Sequence, residues 1–483
     1  MKLALTALFL AGCLRPIDSV ASVSWQEYQS EHFILDTDVS EEDAATILAT
    51  FEALRAADLT LLAGAGTDFA GHIRLFIPAQ AGLYRQLSPN EYFSAYYTHG
   101  VYYSEPIIVA PAGLCLRLPQ AVAHELAHAV SYYIYPQQRK WFSEGLAQFV
   151  ETVGRKPVHN QGSTAAVTGA AGEILPTLAR FLRGELGILP VSKLLVATAN
   201  DRDAQPRLFY DSSWLLYHWL WNADGQELAA FQKRLAEGEG WDDAWRTSFT
   251  RFDPAEPSQM DRLDAALYVY RREGRFGTAE VSVKESFTMS KRPFPAMRFW
   301  VALLRGDWPK GKEERTRRQR EELTRARADD PTNPDILLWL ARLEDKPLDA
   351  DAVRALAAGA PGQSFGWFAL SLLTADPLEK ERALRQSVAV GPDCANCSNA
   401  LAWFLATNGR GQEALRFANR AVDLAPWNPA YVDTLAEVAS RLGQCKQALQ
   451  LQTRAVRMTE FAGNKKDDYE RRLGIMQERC AAQ

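Results

Sequence analysis

A 34-residue repeat near the C-terminus constrains the fold of this 483-residue chain more than any other feature of its sequence. Small and aliphatic residues recur at that spacing, and small residues let paired helices approach closely. Such a pair can bury its apolar face only against neighbouring pairs, so the second half is predicted to stack as an all-α solenoid. The repeated dipeptides are Leu401-Ala402 and Leu435-Ala436, Ala414-Leu415 and Ala448-Leu449, and Ala421-Val422 and Ala455-Val456.

Over residues 399–458 this pattern resembles tetratricopeptide repeats, and the resemblance weakens upstream. The dipeptide Ala383-Leu384 and the segment Asp330–Pro334 indicate earlier, degenerate units. The segment 264–284 is a further candidate unit. The resemblance implies a surface that binds a protein partner, and a solenoid that only buttresses the rest of the chain is the alternative.

The repeats and the preceding sequence set the expected boundaries of the second half. We expect degenerate helical repeats over residues 256–390 and tetratricopeptide repeats over residues 391–483. A polar helix at about 464–480 is expected to cap the solenoid, since the last pair would otherwise expose an apolar face.

A short motif in the first half has the spacing of a metal site. Residues 124–128 read HELAH, and residues four apart share one helical face, so His124 and His128 can offer two imidazoles to one ion. A catalytic zinc takes three protein ligands and keeps one position for water. Glu144 is the best third candidate, and Ser143 is expected to be the N-cap of the helix that it opens.

The alternative for this motif is a surface helix with two hydrogen-bonded histidines and a solvated glutamate. The other positions of the segment are apolar, which favours a buried helix. Pro119 stands where a first-turn proline is tolerated, and Pro136 ends the run. The apolar positions are Val122, Leu126, Ala129, Val130 and Ile134.

HELAH followed by WFSEGLA at 141–147 resembles the gluzincin metallopeptidases, and most closely the bacterial peptidase MA-like domains. The resemblance implies an α+β peptidase domain over residues 26–255 that hydrolyses peptide bonds with one Zn²⁺ per chain. Glu125 would be the general base of this domain. The G-x-M-E-N motif of aminopeptidases is absent, so an aminopeptidase specificity is not implied. The implied zinc ligands are His124, His128 and Glu144.

Two further residues are candidates for supporting roles. In aminopeptidase-N-type enzymes a Tyr opening a helix in a Y-x-x-G element stabilises the oxyanion, and Tyr210-Asp211-Ser212-Ser213 resembles that element with Ser in place of Gly. The alternative for Tyr210 is an aromatic residue at the rim of the core. Glu151 lies seven residues after Glu144, where it would either orient a ligating histidine or be solvated.

Around the motif, alternating and helical patterns predict the α+β order of strands and helices. Strands are expected at 32–35, 72–77 and 107–109, and a helix at 39–63. Val101–Glu105 is the expected edge strand at the cleft, where a peptide could bind by adding a strand. The segment 155–190, rich in Gly, Ala and Thr, is expected to be a flap or a loop. These elements would surround the metal helix.

The N-terminus predicts export. A basic start and a short apolar run at 1–12 form a secretory signal too short to span a bilayer. Leu-Ala-Gly-Cys at 10–13 resembles a bacterial lipobox, which implies a lipid on Cys13 and a linker over 13–25. The expected location is the bacterial cell envelope, as a periplasm-facing lipoprotein with this lipid as its membrane contact. An ordinary signal peptide is the alternative.

The other cysteines fit an oxidising compartment. Cys394 and Cys397 lack a second pair at metal spacing, so a local disulfide is expected. Cys445 and Cys480 would meet if the last repeat helix and the capping helix pack antiparallel. Cys115 is expected to be a buried thiol.

Composition and motif together define the predicted function. The net charge of −5 gives no basic surface for nucleic acid. The expected protein is an exported zinc metallopeptidase acting on a peptide or protein. The alternative is a scaffold that holds zinc without turnover and binds protein partners through its repeats.

Overall fold

The computed structural model describes residues 25–62, 68–89, 94–99, 106–156, 158–294, 296–306, 308–309, 311–344, 350–462 and 466–481. Within these ranges the chain is mostly helical. Its strands are β1 (Gln26–Gln29), β2 (Phe33–Thr37), β3 (Ile73–Ile77), β4 (Tyr96–His99), β5 (Pro106–Val109), β6 (His159–Gln161), β7 (Thr164–Ala171), β8 (Ala279–Ser286) and β9 (Ser290–Pro293).

The helices divide into two groups. The first group is α1 (Glu41–Leu62), α2 (Ala81–Leu87), α3 (Ala112–Arg117), α4 (Pro119–Ile134), α5 (Lys140–Val150), α6 (Ala179–Leu182), α7 (Val191–Leu194), α8 (Ala199–Ala204), α9 (Pro206–Ala223), α10 (Gly225–Ala236), α11 (Trp241–Ser248) and α12 (Pro257–Glu273). The second group is α13 (Met297–Leu304), α14 (Lys312–Asp329), α15 (Pro334–Glu344), α16 (Ala350–Gly359), α17 (Ser364–Leu373), α18 (Pro377–Val390), α19 (Ala395–Thr407), α20 (Gly411–Leu424), α21 (Pro429–Arg441), α22 (Cys445–Ala462) and α23 (Lys466–Ala481).

A six-stranded sheet of order β4-β5-β3-β2-β1-β9 forms the centre of the N-terminal half. Its inner strands β2, β3 and β5 are parallel, and β1, β4 and β9 run antiparallel to their neighbours. The expected strands at 32–35, 72–77 and 107–109 are confirmed within it, because both faces of these apolar runs are covered. Helices α2, α13, α14 and α15 pack on one face through Phe76, Ile107 and Val109.

Helix α1 lies between this sheet and a second one. It packs on β2 on one side and on β7 and β8 on the other, so most of its length is buried. The hydroxyl of Ser40 accepts the backbone N–H of Asp43 at 3.1 Å and caps its first turn. The helix expected at 39–63 is therefore confirmed, with ends at Glu41 and Leu62.

The second sheet, β6-β7-β8, corrects the expected flap or loop at 155–190. The segment contains strands β6 and β7, and β7 pairs antiparallel with β8 over its whole length. Its small residues allow close packing rather than mobility: a Cβ on Gly169 would lie 2.9 Å from the backbone oxygen of Val153. Composition alone did not indicate this pairing, because the partner strand lies more than 100 residues further along the chain.

The boundary expected at residue 255 is also wrong. Leu263 and Leu267 of α12 are buried in the core of the N-terminal half. Strand β8 pairs with β7, and β9 pairs with β1. The candidate repeat at 264–284 is therefore part of the first half.

The second half contains helix pairs with the expected period. Helices α19 and α21 begin at Ala395 and Pro429, and α20 and α22 begin at Gly411 and Cys445, so both offsets are 34 residues. The capping helix is confirmed as α23. The expected disulfides Cys394–Cys397 and Cys445–Cys480 are both present, and Cys115 is a buried free thiol.

The repeats pack directly against the N-terminal half. The ring of Trp427 lies 4.8 Å from the ring of Tyr133 on α4 and 5.3 Å from the ring of His99 on β4. His72, before β3, pairs with Asp393, before α19, at 2.5 Å. The solenoid thus contacts the helix that carries the HELAH motif.

Three expectations concern residues outside the described ranges: the signal at 1–12, Cys13 with most of its linker, and the edge strand at Val101–Glu105. Among the described helices, none combines the length and the apolar character that crossing a bilayer requires.

Candidate metal centre

Helix α4 places the two histidines of the motif on one face. Pro119 is at its first position, as expected, and Leu126 and Val130 are buried in the core. His124 and His128 lie on the side that lines a cleft of about 1310 Å³. The fixed φ of a first-turn proline and the apolar face together orient the helix.

Helix α5 brings the third candidate ligand, and here one expectation is corrected. The helix begins at Lys140 with Arg139 as N-cap, so Ser143 lies within the first turn and is not the cap. The backbone N–H of Ser143 bonds to the carbonyl of Arg139 at 3.0 Å, which extends the helix one turn further back. Glu144 therefore projects from within a helix.

The close crossing of α5 and α9 fixes the position of Glu144. Gly145 faces the backbone of α9, and a Cβ there would lie 2.4 Å from the carbonyl oxygen of Ser213. Since real Cβ atoms do not approach so closely, only glycine fits at this crossing.

The three expected ligands meet around one point. Glu144 Oε2 lies 3.5 Å from His124 Nε2 and 3.3 Å from His128 Nε2. Two ligands of a tetrahedral zinc, each about 2.0–2.1 Å from the ion, are separated by about 3.4 Å. The three ligand atoms lie within 4.8 Å of one another. His124, His128 and Glu144 could therefore hold a metal ion.

The carboxylate of Glu144 lacks the partner that its burial requires. Its Oε2 is buried and has no hydrogen-bond partner among the described residues. Burial opposes its ionisation, but the facing imidazoles, that of His128 most strongly, hold the pKa of this carboxyl well below its usual range. An ionised, buried oxygen that accepts no hydrogen bond is suited to bind a cation, together with the two facing Nε2 atoms.

Outer contacts hold both imidazoles with Nε2 towards Glu144. His124 Nδ1 lies 2.6 Å from Glu151 Oε2, and His128 Nδ1 lies 2.9 Å from Ser143 Oγ. If each Nδ1 carries the proton, each Nε2 presents its lone pair to an ion. Of the two alternatives for Glu151, contact with a histidine is confirmed.

Glu125 lies in the same cleft, outside the ligand set. Burial raises the pKa of its carboxyl, and the imidazoles of His124 and His128 partly offset that effect. The backbone of Tyr97 on β4 acts in the same direction as these imidazoles and lowers this pKa. A raised pKa suits a group that must accept and return a proton near neutral pH.

Tyr210 also lines the cleft. Burial and the charge of Glu144 raise the pKa of its phenol, so the hydroxyl stays a hydrogen-bond donor at neutral pH. Helix α9 begins at Pro206, so Tyr210 does not open it as expected. Gln148 of α5 donates to the Tyr210 carbonyl at 2.9 Å and links the two helices.

Two cleft residues were not predicted from the sequence. Tyr97 on β4 places its ring 6.4 Å from that of His128, and Arg202 on α8 lies 3.8 Å from Glu144 Oε1. Neither residue belongs to a motif of fixed spacing, so the sequence carries no signal for them. Their positions follow from how β4 and α8 pack.

Comparisons with known proteins do not identify a family. No family model matches the chain, and no curated protein matches it. Among solved structures, a thermophilic TPR protein from Thermus thermophilus is similar at 21% identity and a TM-score of 0.27. The match covers 34% of this chain and 91% of that chain.

Proposed function

We propose that this protein is an exported, zinc-dependent metallopeptidase of the gluzincin type. The observation that carries the proposal is the buried Oε2 of Glu144, which has no hydrogen-bond partner among the described residues and faces two Nε2 atoms at 3.3 and 3.5 Å. The HELAH and WFSEGLA motifs support the same interpretation. Without an ion, only protonation of the two facing imidazoles would balance the charge of this buried carboxylate.

Each residue of the site has a role in amide hydrolysis. His124, His128 and Glu144 would hold the zinc, which when bound would act as a Lewis acid toward a water molecule and the substrate carbonyl. Glu125 accepts the proton of the attacking water and returns it to the leaving amine. Tyr210 donates its hydroxyl to the oxyanion that develops on the carbonyl.

A peptide substrate fits the border of the cleft. Strand β4 lines the cleft and, within the described sheet, pairs on one side with β5. Its other edge can bind an extended peptide through backbone hydrogen bonds. Strand β4 is thus a second candidate for the peptide-binding edge, beside Val101–Glu105, which lies outside the described residues.

Export is supported by the disulfides Cys394–Cys397 and Cys445–Cys480, since such bonds persist in oxidising compartments. Attachment to a membrane rests on the lipobox at Cys13. A protein partner at the repeats remains part of the proposal.

Metal content and turnover, measured on the same preparations, test the proposal. Elemental mass spectrometry should find about one zinc per chain in the parent and much less in Glu144→Ala. Glu125→Gln should keep its zinc, and its cleavage rate should fall by a factor of about 10²–10⁴. The cleavage rate is measured by mass spectrometry of a mixed peptide library. Exposed Glu237 provides the matched controls, Glu237→Ala and Glu237→Gln, which should change neither.

The outcomes separate the alternatives. A parent protein without zinc after supplementation at neutral pH would overturn the metal site. Zinc at one per chain with no cleavage of any library peptide would favour the zinc-holding scaffold. Full turnover in Glu125→Gln would overturn its role as the base.

A further inference from the structure

Arg202 brings a permanent positive charge into the cleft from a helix that carries no motif. Helix α8 is short but firmly capped: Asp201 Oδ2 accepts the backbone N–H of Thr198 at 2.8 Å and its hydroxyl at 2.7 Å. The first of these bonds forms a capping box together with the backbone N–H of Asp201, which donates to the Thr198 side chain, and this box fixes the first turn. Arg202 extends from this turn into the cleft.

One edge of the Arg202 guanidinium is anchored, and the other faces the metal ligands. Nε and Nη2 each lie 2.8 Å from Asp203 Oδ1. Nη1 lies 3.8 Å from Glu144 Oε1, which is longer than a hydrogen bond. The described residues supply no hydrogen-bond acceptor for Nη1. The guanidinium is thus held in place while one donor group remains uncommitted beside the site.

The acidic residues of the cleft indicate what the uncommitted Nη1 group of Arg202 could bind. Three glutamates, Glu125, Glu144 and Glu151, line the cleft, and so does Asp203, which pairs with Arg202. Among the described arginines and lysines that line the cleft, Arg202 is the one within ion-pairing distance of any of the three. Negative charge that develops on a substrate nearby would meet these carboxylates, so a cation at this point favours it.

Tyr210 lies close enough to Arg202 for the charge of Arg202 to affect the pKa of the Tyr210 phenol. The positive charge of Arg202 lowers the pKa of the Tyr210 phenol, against the larger effects of burial and of Glu144. Two donors of different chemistry, a hydroxyl and a guanidinium, therefore line the same cleft as Glu144.

We propose that Arg202 is a catalytic residue whose Nη1 binds, together with the Tyr210 hydroxyl, the oxyanion on the attacked carbonyl. This inference rests on the proposed function and deepens it. A charge-assisted hydrogen bond is about twice as strong as a neutral one, so the guanidinium would be the stronger donor of the two.

A tetrahedral anion on a cobalt-substituted site provides a test that needs no substrate. Inorganic phosphate is the probe, and the visible absorption of the cobalt reports its binding. Arg202→Gln should weaken phosphate binding at least tenfold, whereas cobalt affinity should change less than about twofold. Arg202→Lys keeps the positive charge but lacks the planar guanidinium with its several N–H donors. This variant should therefore show an intermediate loss of phosphate affinity.

The matched control is Arg183→Gln, which removes one charge from an arginine that is 61% exposed and paired with Glu185. It should leave phosphate binding unchanged. Unchanged phosphate binding in Arg202→Gln would overturn the inference and leave the metal site intact. An equal loss of cobalt and phosphate affinity would also overturn it, because Arg202 would then position Glu144. A parent chain that takes up no cobalt would overturn the proposed function itself, and the inference with it.

Discussion

The two halves of the molecule hold their helices together by different contacts. In the N-terminal half, elements far apart in the sequence meet, as at Gly145 of α5 and Ser213 of α9. In the solenoid, each helix packs mainly on its neighbours in sequence, and the last two helices are joined by Cys445–Cys480. The candidate metal site lies in the first kind of structure, so its geometry depends on contacts over long sequence separations.

Trp427 tests whether the halves are independent, and its removal should have the largest effect. It comes from the solenoid and packs on Tyr133 and His99. Trp427→Ala should lower the free energy of unfolding by about 3–5 kcal/mol, because a buried aromatic side chain leaves a cavity at the contact. Urea denaturation followed by circular dichroism measures it.

The control for this substitution is Trp403→Ala, at a tryptophan within the solenoid that is 36% exposed. Trp403→Ala should lower the free energy of unfolding by clearly less than Trp427→Ala does. Equal losses for the two variants would mean that the contact between the halves contributes little.

The disulfides test the local character of the solenoid. Cys445–Cys480 closes a separation of 35 residues and Cys394–Cys397 one of 3. In the chain-entropy description, replacing the first pair by serines should cost about 3–4 kcal/mol and replacing the second about 2 kcal/mol. The midpoint of denaturant unfolding measures both.

Zinc content provides the readout that separates the halves in this experiment. Both serine variants should keep the metal content of the parent. Loss of zinc in the Cys445→Ser, Cys480→Ser variant would show that the last repeat supports the metal site, and the contrast between the halves would fail.

His99, at the contact between the two halves, should make the stability of the protein depend on pH, with a smaller effect than the preceding substitutions. Burial, and to a lesser degree the charge of Lys140, lowers the pKa of His99 to about 4. Because this imidazole titrates near 6.5 when unfolded, the unfolded state binds more protons between pH 6.5 and 4. The contribution of His99 to the free energy of unfolding is therefore complete above pH 6.5, and it falls by about 1.4 kcal/mol for each pH unit below 6.5.

Unfolding free energies of the parent and of His99→Phe, measured from pH 7 to 4, isolate this effect. Phenylalanine keeps an aromatic ring next to Trp427 and does not titrate, so the variant should lose less stability as the pH falls. Parallel curves would mean that His99 is not buried in its neutral form.

Sequence reasoning succeeded where the signal lies within one element or between two consecutive helices. The spacing of His124 and His128 on α4 and the pairing of Cys445 with Cys480 follow from helix periodicity and length. It failed for β7 and β8, because no residue of either strand specifies a partner more than 100 positions away. The N-cap at Ser143 failed for a related reason: the packing of Trp141 and Phe142 in the core favours a helix that begins earlier.

What the sequence by itself determined is the shared helical face of the candidate ligands His124 and His128 and the 34-residue period, since both are patterns that one helix or one repeat carries in its own residues. The tertiary structure alone decided that α12, β8 and β9 join the first half, that β4 borders the cleft, and that Arg202 reaches Glu144. These features depend on which surfaces meet when the chain is compact, and a surface contact between distant segments leaves no periodic trace in either of them.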